Sequence, residues 1–311
     1  MCPSIDNQLE MAGKILVNRM EPLKKRFRAL FTLKNLATPE TIKWINQAMI
    51  EDDSILLQHE CGYCLGQMGL KEAVPFLIGV LEDDQQNEIT RHECGEALGN
   101  LIVTLSEPEE KRKVIKVLFK QLDDNSIIVS QTCQLSLDKI YWLESVDERE
   151  LKSVQCDRFS THDPAPQFAE TKTINELENI LKDSNTSLHD KYRALFSLRN
   201  MATTGSVHAL GKTLIHYKDD RTMDLLLHEI GYIFGQLCDI ESIPYLKEII
   251  SDKDCHEIAR HECTEALGSI GTKEAITFLE TFLNDEKTVV RQSAEVALDM
   301  TDYFSCDQLD D

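Results

Sequence analysis

The sequence predicts an all-α protein made of paired helices, and three observations carry that reading. Apolar residues recur at helical spacing along nearly the whole chain, while alternating β-branched runs are scarce. Only 13 Gly and 8 Pro punctuate its 311 residues, few for a protein of many short strands and turns. The third observation is an internal duplication. LLQHECGYCLGQMG at 56–69 matches LLLHEIGYIFGQLC at 225–238, and NEITRHECGEALGNL at 87–101 matches HEIARHECTEALGSI at 256–270, both at an offset of 169 residues. Of these 29 aligned positions 18 are identical.

In chain order, the first half spans 1–144. It carries FRALFTLKNLAT at 27–38, the two His-containing segments above, and SIIVSQTCQLSLD at 126–138. In each His-containing segment an apolar stripe runs down one face, Leu57, Cys61, Cys64, Leu65 and Met68 in one, Cys94, Ala97, Leu98 and Leu101 in the other. Residues 145–170 follow as a connector, charged and holding Pro164 and Pro166, with a short helix at 147–154 as the alternative for part of it. The second half, 171–303, answers with YRALFSLRNMAT at 192–203 (offset 165), its own His-containing segments, and KTVVRQSAEVALD at 287–299 (offset 161). The changing offsets place small insertions between units, where loops belong. An acidic tail, 304–311, closes the chain. His59 to His92 and His228 to His261 are each 33 residues apart, a period that suits a slightly short two-helix repeat of the HEAT type. Each half then holds four helical pairs, and the expected architecture is two pseudo-symmetric four-repeat halves facing each other.

The formal charge of −21 argues against a nucleic-acid binder, because phosphate recognition needs clustered Lys and Arg, and it favours a cationic partner. No apolar run approaches the ~20 residues of a membrane span, and the N-terminal segment lacks the continuous apolar stretch of a signal peptide. A soluble, cytoplasmic protein is expected. Ten Cys, at 2, 61, 64, 94, 133, 156, 238, 255, 263 and 306, are scattered rather than dense, so reduced thiols are expected.

Four His-Glu dipeptides occupy equivalent places: His59-Glu60, His92-Glu93, His228-Glu229 and His261-Glu262. On a helical projection the histidines fall opposite the apolar stripe, beside small residues (Gly62 and Gly66, Gly95 and Gly99, Gly231 and Gly235, Thr264 and Gly268), so they read as non-core residues with room for something to approach. One such pair is ordinarily a solvated helix face, but four in register are not easily incidental. His256-Glu257 is an internal control: its counterpart is Asn87-Glu88, and it reads as ordinary surface. Two imidazoles with a carboxylate on one side of a metal leave open positions for oxygen, as in non-haem iron enzymes. Each half offers two His and two Glu on neighbouring helices, one metal site per half. If the halves face each other, the two sites make a two-metal centre.

Other metal motifs fit less well. A zincin needs His four residues after the first His, where Tyr63, Glu96, Tyr232 and Glu265 stand, and paired Glu-x-x-His motifs are missing. Cys61-x-x-Cys64 has Ile230 and Ile233 as counterparts and lies on the apolar stripe, so it reads as core. No Gly-rich phosphate loop, GxSxG elbow, or flavin or nicotinamide motif is present.

In HECGYCLGQM, HEIGYIFGQL, RHECGEALG, RHECTEALG, the YRALFSLRN segment and DPAP at 163–166, the chain resembles the deoxyhypusine hydroxylases, HEAT-repeat di-iron monooxygenases, over nearly its whole length. The resemblance implies hydroxylation of the deoxyhypusine side chain of eukaryotic initiation factor 5A to hypusine, with two Fe2+ ions, O2 as co-substrate and an external reductant. It implies that His59, His92 and Glu93 hold one iron and His228, His261 and Glu262 the other, Glu60 and Glu229 being neighbouring or substrate-facing carboxylates. The residues alone do not make that division: all eight side chains are candidate ligands, and Glu60 and Glu229 are also candidate catalytic groups. Deoxyhypusine carries cationic amines that spare carboxylates would orient. Tyr63 and Tyr232 are candidates for hydrogen bonding to bound oxygen or for helix packing. A monomer is expected. Two other readings exist: a metal-free HEAT-repeat scaffold that binds a basic protein partner, and a bilin lyase of a related repeat class, which gives no reason for four His-Glu pairs.

Overall fold

Local chemistry places the helix boundaries. Ser54 accepts from Leu57 N at 3.1 Å and Asn87 from Ile89 N at 2.9 Å, each satisfying an N–H that a helix start leaves orphaned. Thr173 and Glu176 make a reciprocal capping box, Glu176 Oε2 accepting from Thr173 N at 2.7 Å and Thr173 Oγ1 from Glu176 N at 3.3 Å. Prolines 39, 75, 108 and 244 sit in first turns, where their missing N–H costs nothing.

The computed structural model describes residues 5–154, 158–159 and 161–306. Among them there are α-helices and short 3-10 turns and no strand. The described residues form two compact units: one runs to Glu144 and adds Thr161–Pro164, and the other starts at Ser145 and omits that segment. The first contains α1 (Ile5–Val17), α2 (Leu23–Leu36), α3 (Pro39–Glu51), α4 (Ile55–Gln67), α5 (Val74–Glu82), α6 (Glu88–Leu101), α7 (Pro108–Lys120) and α8 (Ile127–Ser145). The second contains α9 (Glu148–Ser153), α10 (Ile174–Lys182), α11 (Leu188–Met201), α12 (Thr204–Tyr217), α13 (Asp224–Leu237), α14 (Ile243–Ser251), α15 (Glu257–Ile270), α16 (Lys273–Glu280) and α17 (Thr288–Cys306). Four helical pairs thus stand in each unit, as the duplication predicts. Within the connector the helical alternative is the one realised, α9 starting at an Asp147 cap on Glu150 N. Residues 304–306 continue α17, and 307–311 of the expected acidic tail lie outside the described residues. No described helix is long and apolar enough to cross a membrane.

The second helix of each pair forms an inner row, in which α4 packs on α6, and α13 on α15 and α15 on α17. The interior of each unit is aliphatic: Leu16, Leu30, Ile45, Leu77 and Leu98 in the first, Leu181, Leu210, Leu246 and Leu267 in the second, all fully buried. A polar ladder ties successive repeats. Arg26, Arg91 and Arg260 each donate Nε to a carbonyl ten residues earlier (Leu16, Leu81 and Ile250) and pair with Asp52, Asp124 and Asp285, which lie between the helices of the next pair. Lys191 takes the corresponding place on α11, donating to Leu181 O at 2.5 Å and Asp183 O at 2.7 Å. These cations are almost wholly buried, and their partners offset the cost of removing them from water.

Candidate metal centre

The four histidines belong to the inner helices: His59 to α4, His92 to α6, His228 to α13 and His261 to α15. The structure corrects one expectation about them. They are interior residues, with exposures of 4, 1, 6 and 0 %. The small residues beside them do leave room, but the neighbouring inner helix fills it. A Cβ on Gly66 would lie 2.8 Å from Ala97 Cβ, and one on Gly99 2.7 Å from Ser136 Oγ. A projection of one helix shows a single apolar stripe, whereas a helix in the middle of a row is packed on its flanks as well.

Two of these glycines shape the candidate site. A Cβ on Gly62 would meet Glu93 Cγ at 3.1 Å, and one on Gly231 would meet Glu262 Cγ at 3.2 Å. Glycine on one helix lets the glutamate of the next helix lie flat against it and reach the first histidine. Glu93 Oε2 stands 3.1 Å from His59 Nε2 and 3.6 Å from His92 Nε2, and the two rings lie 5.4 Å apart with 28° between their planes. One ligand atom from each of these three residues falls within 4.8 Å of the others. In the second unit Glu262 Oε2 lies 3.3 Å from His228 Nε2 and 3.8 Å from His261 Nδ1, with the rings 5.3 Å apart. Donors held ~2.1 Å from one ion at right angles are about 3 Å from each other, so the first group, two nitrogens and a carboxylate at these separations, fits a divalent transition metal with open positions, and the second repeats its donor set at slightly wider spacing.

Glu60 and Glu229 are buried on α4 and α13, but neither belongs to a group of three close donors among the described residues. Tyr63 and Tyr232 are partly buried, Tyr63 having Lys34 Nζ 5.3 Å from its ring centre. Cys61, Cys64, Cys94 and Cys263 are buried free thiols, raised by burial first of all, which suits core residues rather than redox groups. His256 is partly exposed and caps α15 through Nδ1, accepting from Ile258 N at 3.2 Å. Its counterpart Asn87 caps α6 in the same manner, so the fifth His-Glu pair is a helix start.

The projection did not find a half-buried charge group behind the first site. Burial, and next the negative Glu93, push the Glu96 carboxyl up to about 8. Burial pulls Lys139 on α8 down to about 8, against the pull of Glu96 and Asp163. Lys139 Nζ donates to Asn100 Oδ1 and, at 2.7 Å, to Asp163 O. Asn100 Nδ2 donates to His162 O at 3.2 Å, and His162 N to Gln67 Oε1 at 3.1 Å. His162 and Asp163 are thereby tied to the inner helices of the first unit. A glutamate four residues after each second histidine, Glu96 and Glu265, was the one visible sign of this layer in the sequence.

Fold and site together define a HEAT-repeat protein with histidine–carboxylate groups suited to a metal, and comparison with known proteins agrees. A family model for HEAT repeats matches residues 10–99 and 226–299. The chain is 42% identical over 303 residues to deoxyhypusine hydroxylase of Danio rerio, covering 97% of this chain and 94% of that one. To deoxyhypusine hydroxylase of Homo sapiens it is 38% identical over 298 residues, covering 96% and 92%. The structure of the human enzyme in complex with glycerol superposes with a TM-score of 0.86 at 37% identity, covering 96% of this chain and 97% of that chain. The chain belongs to the deoxyhypusine hydroxylase family, a family of enzymes.

Proposed function

We propose that this protein hydroxylates the deoxyhypusine side chain of eukaryotic initiation factor 5A to hypusine. The observation that carries the reading is the twofold convergence of two imidazoles on one carboxylate, Glu93 in the first unit and Glu262 in the second, in a chain of this family. His59, His92 and Glu93 would hold one Fe2+ and His228, His261 and Glu262 a second. When bound, iron supplies the redox chemistry that splits O2, one oxygen atom entering the substrate C–H bond and the other leaving as water with electrons from an external reductant.

The chain's own residues do the rest. Gly62 and Gly231 set how closely the ligand carboxylates approach their histidines. Buried Glu60 and Glu229 pair with the cationic amines of the side chain and fix its reach, a positioning that binding to a charged group makes strong. Tyr63 and Tyr232, four residues after His59 and His228, would supply hydroxyl groups beside the centre. Burial of both groups keeps water from the reacting carbon. The −21 charge draws in a basic segment of the protein substrate, and the enzyme acts as a cytoplasmic monomer.

The test is direct. Protein purified and reconstituted anaerobically is assayed for iron per chain, then mixed with deoxyhypusine-bearing factor, O2 and reductant. The expected result is two irons and a mass gain of one oxygen atom on the factor. A metal content near zero, or an unmodified factor with metal bound, overturns the proposal.

A further inference from the structure

The two histidine–carboxylate groups differ in their surroundings. His92 Nδ1 lies 3.4 Å from the hydroxyl of Thr132, a neutral group that itself donates to Ile128 O at 2.9 Å. The counterpart of Thr132 is Ser293, whose hydroxyl donates to Glu265 Oε1 at 3.2 Å. That same carboxylate oxygen stands 3.5 Å from His261 Nδ1, the ring nitrogen that also lies 3.8 Å from Glu262 Oε2, so a second carboxylate stands on the metal-facing side of this imidazole. A carboxylate thus faces the second histidine in one unit where a hydroxyl faces it in the other.

The contrast continues one layer out. Glu96, the counterpart of Glu265, lies within the fields of Glu93, Asp163 and His59 but also of the cation Lys139. The residue equivalent to Lys139 in the second half is Met300. A second carboxylate beside a ligating imidazole adds negative charge near a dication, and a lysine among such carboxylates offsets it.

We propose that the His228–His261–Glu262 group binds its divalent metal more tightly than the His59–His92–Glu93 group and fills first, with Glu265 and Lys139 setting the difference. The inference rests on reading both groups as metal sites, as above. Glu265 and Lys139 are positioning and charge-setting residues; neither needs to touch substrate.

The experiment is anaerobic Fe2+ titration of the metal-free full-length protein by calorimetry, with metal retained after gel filtration as a second readout. Two steps are expected, their Kd values separated by about 10- to 100-fold. Glu265→Gln, nearly isosteric, should weaken the tighter step and leave the weaker one in place. Lys139→Met, which copies Met300, should strengthen the weaker step, and Lys139→Arg should restore the wild-type pattern. Thermal melts of the metal-free variants report folding separately, and the Glu265→Gln titration decides the matter even if Lys139→Met does not fold. Two equal steps, or a tighter step unmoved in folded Glu265→Gln, overturn the proposal while leaving both metal sites standing. No Fe2+ bound at all overturns the functional reading beneath it.

Discussion

Replacing Gly268 with alanine should destabilise the protein, although alanine is the better helix former. A Cβ at Gly268 would lie 2.6 Å from Ala297 Cβ, 2.8 Å from Ala297 Cα and 2.9 Å from Ala297 O. Carbon atoms rest at about 3.5–4.0 Å, so α15 and α17 must separate by about 1 Å, and the backbone of α17 has no side chain to rotate away. Helix propensity returns about 1 kcal/mol. Overpacking costs about 1–3 kcal/mol, toward the upper end when backbone must move, which leaves a net loss of about 1–2 kcal/mol. Gly79 in α5 is the control: nothing lies within 4 Å of a Cβ there, so Gly79→Ala should gain up to about 1 kcal/mol. Urea unfolding of the metal-free variants measures both. Equal shifts of the two variants in the same direction would refute the close approach of α15 and α17.

Three further outcomes follow from other parts of the molecule. Cys238 ends α13 at φ +50, where its counterpart Gly69 has φ +67, so Cys238→Gly should raise stability by about 1 kcal/mol in the same urea assay; a decrease would mean the side chain matters more than the backbone conformation. Burial acts to raise the Asp285 carboxyl, but hydrogen bonds from Arg260 and from Lys287 N outweigh it and hold the group below its usual range. Its folded value is lower than its unfolded one, so its contribution is complete above about pH 4 and lost as pH falls through the folded value. Asp285→Asn should therefore cost about 3 kcal/mol near pH 7, a gap that narrows on acidification; a gap independent of pH would contradict the ion pair. His59→Ala should release about half of the iron and abolish hydroxylation, as seen by metal analysis and product mass, and retention of both would remove His59 from the site.

The repeat, the pairing of helices and the register of the His-Glu dipeptides were legible because each is a local pattern repeated at a fixed distance. The apolar stripe on Leu57, Cys61, Cys64 and Leu65 was correctly read as interior. What failed was the inference from one helix to its flanks. His59 and Gly62 look like an open face until α6 is laid against them, and no projection of α4 contains α6. Lys139, Asn100 and His162 are brought together across 62 positions at most by packing alone, so neither periodicity nor spacing could reveal them. The unequal surroundings of His92 and His261 were in principle readable, since Lys139 aligns with Met300, but only after the structure showed which side of α8 faces α6.

The arginine ladder also governs where the chain tolerates cutting. Arg91, in the third pair of its unit, relies on Asp124 in the fourth, and Arg260 relies likewise on Asp285. Deleting the fourth pair would strand a guanidinium in the interior with no counter-charge, a penalty quite separate from the apolar surface uncovered. Neither array can be shortened from its C-terminal end by whole repeats, as many solenoids can, unless the preceding arginine is replaced in the same step.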